Sequence, residues 1–166
     1  MTRTIIICYD HSPSSRYAVQ WAVSNKMLLP DDSVILATAL EEDVVAIEGG
    51  SLAIPNVVGG AGDFMVAEYT ERVQKMEDDA ERELKHAVET VRKHVWSQKN
   101  KGSVHAVLLR GEPKTSLAEY ATNNRADLVI VGQRGLGWLK RKFLGSVSDY
   151  LSHNLKTPIL IVRDSN

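Results

Sequence analysis

Residues 131–150 read VGQRGLGWLKRKFLGSVSDY and hold four glycines, Gly132, Gly135, Gly137 and Gly145, around a basic triplet, Lys140, Arg141 and Lys142. Backbone N–H groups close on a phosphate only where no side chain intervenes, which glycine allows. A loop that leaves a strand end and closes at a helix N-terminus adds free N–H groups and the positive end of the helix dipole. Gly145, Ser146, Val147 and Ser148 would supply such a terminus, with Arg134 and the basic triplet adding positive potential. The same residues also suit plain structure. Ser146 with Asp149 makes an ordinary N-cap pair, and a basic triplet suits a solvated face. Spacing leaves the anion site and the simple turn both open.

A second group lies near the start, in Cys8-Tyr9-Asp10-His11-Ser12. Asp10 suits a ribose hydroxyl or a divalent ion, and equally a turn aspartate that caps the next helix. A receiver-type phosphoacceptor needs clustered acids, and Asp10 has none adjacent. His11 has no neighbouring nucleophile in sequence and reads as a loop histidine. Cys8 sits in an apolar run and reads as core. It is the only cysteine, so a disulfide within the chain is excluded.

Other chemistries lack their signatures. GxxxxGK[ST] and GxSxG do not occur. In GxGxxG, Gly135 and Gly137 fit, but Lys140 stands where the third glycine belongs, and no glycine follows the first strand. The histidines, at 11, 86, 94, 105 and 153, show no metal-ligand spacing.

The elements that must position these groups alternate. Apolar runs predict strands at residues 4–9, 33–40, 104–109, 128–131 and 158–162. Ser12-Pro13 starts a helix with Ala18, Trp21, Ala22 and Leu29 on its face, ending near Pro30. Residues 41–63 form a glycine-rich loop. A long helix follows over 64–98, with Val66, Tyr69, Val73, Met76, Ala80, Leu84, Ala87, Val91 and Val95 as a core stripe. Shorter helices cover 113–124 and 146–155. Strand–helix alternation implies an α/β fold: an open, doubly wound, five-stranded parallel sheet with helices on both faces. A chain that winds one way from a central first strand and then returns gives the order 3-2-1-4-5. Ligands bind where the direction switches, here between strands 1 and 4. Those strand ends carry the Asp10 turn and the glycine loop.

With 166 residues, 43% hydrophobic and 25% charged, the chain suits one domain over residues 1–166. A net charge of -1 argues against nucleic-acid or membrane-surface binding. No apolar run is long enough to span a membrane and no leader pattern opens the chain, so a cytoplasmic protein is expected.

Gly132-x2-Gly135-x9-Gly145-Ser146 resembles the G-2x-G-9x-G-[S/T] loop of the ATP-binding branch of the universal stress protein family, and nearly the whole chain shares the likeness. The Asp10-His11-Ser12 turn, the Arg110-Gly111-Glu112-Pro113 turn and the closing PILIVR are similar to that family too. The resemblance implies a Rossmann-like fold with ATP, accompanied by Mg or Mn, in the strand 1/strand 4 crevice. It places phosphate contacts on Gly132, Gly135, Gly145, Ser146, Val147 and Ser148. Adenine and ribose contacts fall on Cys8, Tyr9, Asp10, Ala39 and Val131. It also implies a homodimer, formed through Pro158, Ile159, Leu160, Ile161 and Val162. His11 departs from the pattern, standing where the family commonly has glycine. The expected function is a nucleotide-binding regulatory module in stress response. The alternative is a slow ATP hydrolase or phosphotransferase using the same site, for which the loop offers no evident base.

Overall fold

A computed structural model describes residues 2–40, 61–95, 102–133 and 144–163, the side chains of 61–69, 72–73 and 94–95 excepted. Five strands, β1 (Thr4–Cys8), β2 (Ser33–Leu40), β3 (Ser103–Arg110), β4 (Leu128–Gly132) and β5 (Ile159–Val162), form one sheet of order β3-β2-β1-β4-β5. Every pairing is parallel. The crossovers are α1 (Pro13–Ser24), α2 (Ala61–Val95), α3 (Pro113–Asn123) and α4 (Ser146–Asn154). The expected architecture and strand order are those observed.

Alternation along β1 builds two cores. Ile5, Ile7 and Tyr9 pack with Ala18, Val19 and Ala22 of α1 and with Leu84, Ala87, Val88 and Val91 of α2. Ile6 and Cys8 face the opposite way, onto Leu117 and Ala121 of α3 and Leu151 of α4. Ile5, Ile6 and Ile7 are fully buried, and each contributes roughly 1.5–3 kcal/mol by leaving water. β1 is therefore held from both faces, which fixes its carboxyl end.

Two helix boundaries differ from the sequence expectation. α1 stops at Ser24, well before Pro30. Met27 N–H donates to the Ala22 carbonyl and Lys26 N–H to that of Val23, a Schellman ending with Lys26 in the left-handed region. Leu29 consequently leaves the helix face and is exposed, while Leu28 is buried. α2 begins at Ala61, three residues before the expected start, and is described to Val95; residues 96–98 of the expected helix lie outside the described residues. Its 35 residues measure about 52 Å, roughly twice the length of the 8-residue strands. The sheet cannot cover all of it. Ala80, Leu84, Ala87 and Val91 of the expected stripe are buried, but Met76 is 54% exposed. The side chains of Val66, Tyr69, Val73 and Val95 lie outside the described residues, as does segment 41–60 of the expected loop. Among the described residues no helix is long and apolar enough to cross a membrane.

Candidate functional site

The carboxyl ends of β1 and β4 lie side by side at the point where the sheet reverses direction. At the β1 end the backbone of Tyr9 is fully engaged. Its N–H donates to the Ala37 carbonyl at 2.8 Å, and its carbonyl accepts from the Thr38 hydroxyl at 2.5 Å. Its ring turns onto the α1/α2 face, where burial raises the hydroxyl's pKa. Cys8 points to the other face, and burial pushes its thiol up to about 12, so it is protonated and unreactive near neutrality.

Asp10 acts as a turn aspartate. Its Oδ1 accepts from the Ser12 N–H at 3.1 Å and from the Ser12 hydroxyl at 2.6 Å. Ser12 Oγ in turn accepts from the Ser15 N–H at 3.1 Å, so α1 has an internal N-cap that contributes about 1 kcal/mol. His11 lies between these two residues with φ at 63°, a left-handed conformation that costs a non-glycine residue about 1 kcal/mol or more. Its ring meets that of Tyr9 edge-on, with centroids 5.2 Å apart.

At the β4 end, Val131 and Gly132 are buried. A Cβ on Gly132 would stand 2.8 Å from the backbone carbon and oxygen of Ser14. The missing side chain thus lets the first turn of α1 lie directly against β4. Beyond it, the Gln133 carbonyl accepts from the Gly145 N–H at 2.8 Å, and Ser148 shares its hydroxyl between the carbonyls of Gln133 (3.1 Å) and Gly145 (3.0 Å). Gln133 N–H donates to Val162 at 2.8 Å. The segment between Gln133 and Gly145 therefore leaves and returns at one pinned point. Gly135, Arg134, Gly137, Trp138 and Lys140–Lys142 fall in that segment, outside the described residues.

α4 starts one residue earlier than a serine cap would place it. Its N-cap is Gly145, with φ −68° and ψ 157° and no side-chain cap, and Ser146 is the first helical residue. The Ser146–Asp149 capping pair, one of the two readings that spacing leaves open, does not form, because Ser146 already has helical geometry. Nor does Gly145 need positive φ, so what distinguishes it from other residues is the lack of a side chain. The first N–H groups of a helix have no intrahelical partner. At α1 a serine side chain answers one of them, whereas at α4 the cap residue has none to offer.

Of the residues singled out in the sequence, Cys8, Ala39, Val131 and Val147 come together on the α3/α4 face. Gly145, Ser146 and Ser148 stand at the adjoining helix start. Tyr9 reaches the same end of the sheet through its backbone alone. Sequence reasoning missed Thr38, Ser14 and the Gln133 carbonyl. Ser14 had a weak signal as a small residue in a first helical turn, but a backbone carbonyl has none. Among the described residues no group of three His, Cys, Asp or Glu could hold a metal ion.

Residues 1–163 match the Universal stress protein family. A universal stress protein of Thermus aquaticus is 26% identical over 163 residues, 98% of this chain and 100% of that protein. Universal stress protein Sll1388 of Synechocystis sp. is 47% identical over 53 residues, 32% of this chain, and that match spans only 34% of its own length. Among solved structures, MJ0577 of Methanocaldococcus jannaschii has a TM-score of 0.73 at 21% identity, covering 100% of this chain and 99% of that one. A universal stress protein in complex with cAMP (TM-score 0.55, 22% identity, covering 98% and 97%) and one from Arabidopsis thaliana with AMP bound (0.57, 15%, 98% and 92%) share the fold.

Proposed function

The chain belongs to the universal stress protein family, and on that footing we propose that it is a regulatory module that binds ATP at the carboxyl ends of β1 and β4. The observation that carries this reading is the start of α4. A helix N-terminus favours an anion through its free N–H groups and its dipole. This one opens at a glycine with no side-chain cap, beside the strand end, on a segment pinned at Gln133. The neighbouring α1 terminus is instead closed by its own serine. Of the two helix starts that flank the switch point, α4 is the one whose cap residue leaves its first N–H groups unanswered by a side chain. The adenine nucleotides bound by two relatives of the same fold, AMP and cAMP, support the choice of ligand.

In this reading Gly132, Gly135, Gly145, Ser146, Val147 and Ser148 form the phosphate cradle. Cys8, Tyr9, Asp10, Ala39 and Val131 border the adenosine. Cys8, Ala39 and Val131 act there through backbone and shape and Tyr9 through shape alone, since none of their side chains offers an exposed polar group. A divalent ion, Mg²⁺ or Mn²⁺, would arrive on the phosphates, with Asp10 as the carboxylate of the β1 turn. The same proposal pairs two chains through β5, an edge strand whose Ile159, Leu160 and Ile161 are half-buried in the single chain.

Titration calorimetry of the purified protein with ATP and Mg²⁺, together with mass spectrometry of any small molecule it releases, tests the function. One saturable site per chain is expected. Absence of both binding heat and thermal shift at millimolar ATP would count against it.

A further inference from the structure

A groove of about 290 Å³ opens between α1 and α2, on the face of the sheet opposite the residues gathered for the nucleotide. Helical spacing builds it. Arg16, Val19 and Gln20 recur at i, i+3 and i+4 along α1, and Glu83, His86, Ala87 and Thr90 at i, i+3, i+4 and i+7 along α2. Both helices follow the carboxyl end of a parallel strand, so they run the same way and Arg16 and Glu83 share one end. Tyr9, at the tip of β1, lines that end with them. The floor is apolar, since Tyr9, Val19 and Ala87 are buried. The rim is polar and open: Arg16, Gln20 and His86 are exposed, Glu83 and Thr90 half-buried. Small-molecule sites combine an apolar floor with a few polar groups, and this volume lies near the lower end of their range.

Opposite charges meet at one end of the groove without pairing. Arg16 and Glu83 both act on the rings of Tyr9 and His11. Neither forms an ion pair among the described residues. Other acids of α2 are answered: Asp79 by Arg82, Glu81 by Lys85, Glu89 by Arg92 and Glu77 by Arg110. A further polar group stands behind the Tyr9 wall. The His11 ring packs edge-on against Tyr9, and its buried Nδ1 has no hydrogen-bond partner among the described residues. Burial keeps the imidazole below its ordinary pKa and the Tyr9 hydroxyl above its own, so both are neutral near pH 7. The Asp10 carboxylate is taken up by Ser12. Arg16 and Glu83 therefore carry the formal charges at this end.

We propose that the groove is a second ligand site, separate from the nucleotide crevice, for a small zwitterion of the α-amino-acid class. Its carboxylate pairs with the Arg16 guanidinium and the Tyr9 hydroxyl, and its ammonium with the Glu83 carboxylate. Its side chain lies over Val19 and Ala87 toward Gln20, His86 and Thr90. A lone anion would also meet Glu83, and a lone cation Arg16, each a like-charge contact that disfavours it. A molecule carrying both charges meets neither penalty.

Backbone amide resonances of the ¹⁵N-labelled protein, followed while each protein amino acid is added in turn at millimolar concentration, test this. At least one amino acid should give saturable shifts at Arg16, Val19, Gln20, Glu83 and Ala87 while Gly145 and Ser146 stay unmoved. Acetate and ethylammonium, each with one of the two charges, should bind roughly tenfold more weakly or worse, the loss of one charge-assisted hydrogen bond. Arg16→Gln and Glu83→Gln should weaken amino-acid binding by a similar factor, with urea unfolding and ATP affinity close to those of the parent. Groove amides that no amino acid shifts would overturn the proposal, as would saturable shifts centred on Gly145 and Ser146. Acetate binding as tight as that of the amino acid would make this a plain anion site, and parental affinity in either variant would remove the charge pairing. A parent that shows these shifts but binds no ATP loses the proposed function and keeps this site.

Discussion

Replacing Gly132 with alanine adds a single methyl group where β4 meets α1. Its Cβ would lie 2.8 Å from the backbone carbon and oxygen of Ser14 and 3.1 Å from its hydroxyl oxygen. The hydroxyl can rotate away, but the backbone atoms cannot. Relief to about 3.4 Å needs the first turn of α1 and the end of β4 to separate by roughly 0.6 Å, in an interior packed at near-crystalline density. Overpacking of this kind costs about 1–3 kcal/mol. Gly132 does not have positive φ, so alanine brings no backbone strain. It instead recovers about 0.4–1 kcal/mol by restricting the unfolded chain. The net expectation is a loss of about 0.5–2 kcal/mol, or a Tm lower by about 1–8 °C for a chain of this size. Urea and thermal unfolding measure it directly. ATP affinity should fall as well, since the displaced turn carries Asp10 and Ser12. An alanine variant at least as stable as the parent would refute the close approach of α1 to β4.

Gly145→Val should lose most ATP binding in calorimetry while keeping a cooperative urea transition, because φ −68° at that position suits any residue and only access is blocked. A folded valine variant with parental affinity would assign the glycine to the turn alone. Because His11 is held below its ordinary pKa, the unfolded chain binds its proton more readily than the folded one. Its contribution to stability is therefore complete above the unfolded value of about 6.5 and declines as pH falls toward the lower folded value. Urea midpoints across that window should fall less steeply for His11→Asn than for the parent, and equal slopes would contradict the shift. Light scattering at micromolar concentration should report a dimer, with Ile161→Pro shifting it toward monomer by removing a β5 backbone donor. A monomeric parent would dismiss pairing through β5.

The fold was legible because its cues are local and repeated. TIIIC and LVIV announce buried strands, and Ser12-Pro13 announces the start of α1. Strand order then follows from handedness and the need to cover both faces of β1. Boundaries were less legible where the chain uses an uncommon residue for a common geometry. Lys26 takes a left-handed position that glycine usually marks, so no residue type in the sequence signals where α1 ends. Met76 continues the apolar period of α2, but a period cannot tell how far the sheet extends beneath a helix. At the site, a serine after glycine reads as the better cap, yet Gly145 takes that place and Ser148 ties the segment to Gln133. Asp10 has two readings in sequence, and its hydrogen bonds to Ser12 are those of a turn aspartate, while Ser12 itself caps α1. The presence of His11 in place of glycine was plain from the sequence. Its backbone strain and buried Nδ1 depend on Tyr9 and on α1 and α2, which no local pattern encodes.

The most direct test of the account is to follow backbone amide resonances of the ¹⁵N-labelled protein while ATP with Mg²⁺ is added. Adenine nucleotide in the β1/β4 crevice predicts saturable shifts centred on Asp10, Gly132, Gly145, Ser146, Val147 and Ser148, the largest at the start of α4. Saturation that leaves those six amides unmoved and shifts others would contradict the assignment of the site.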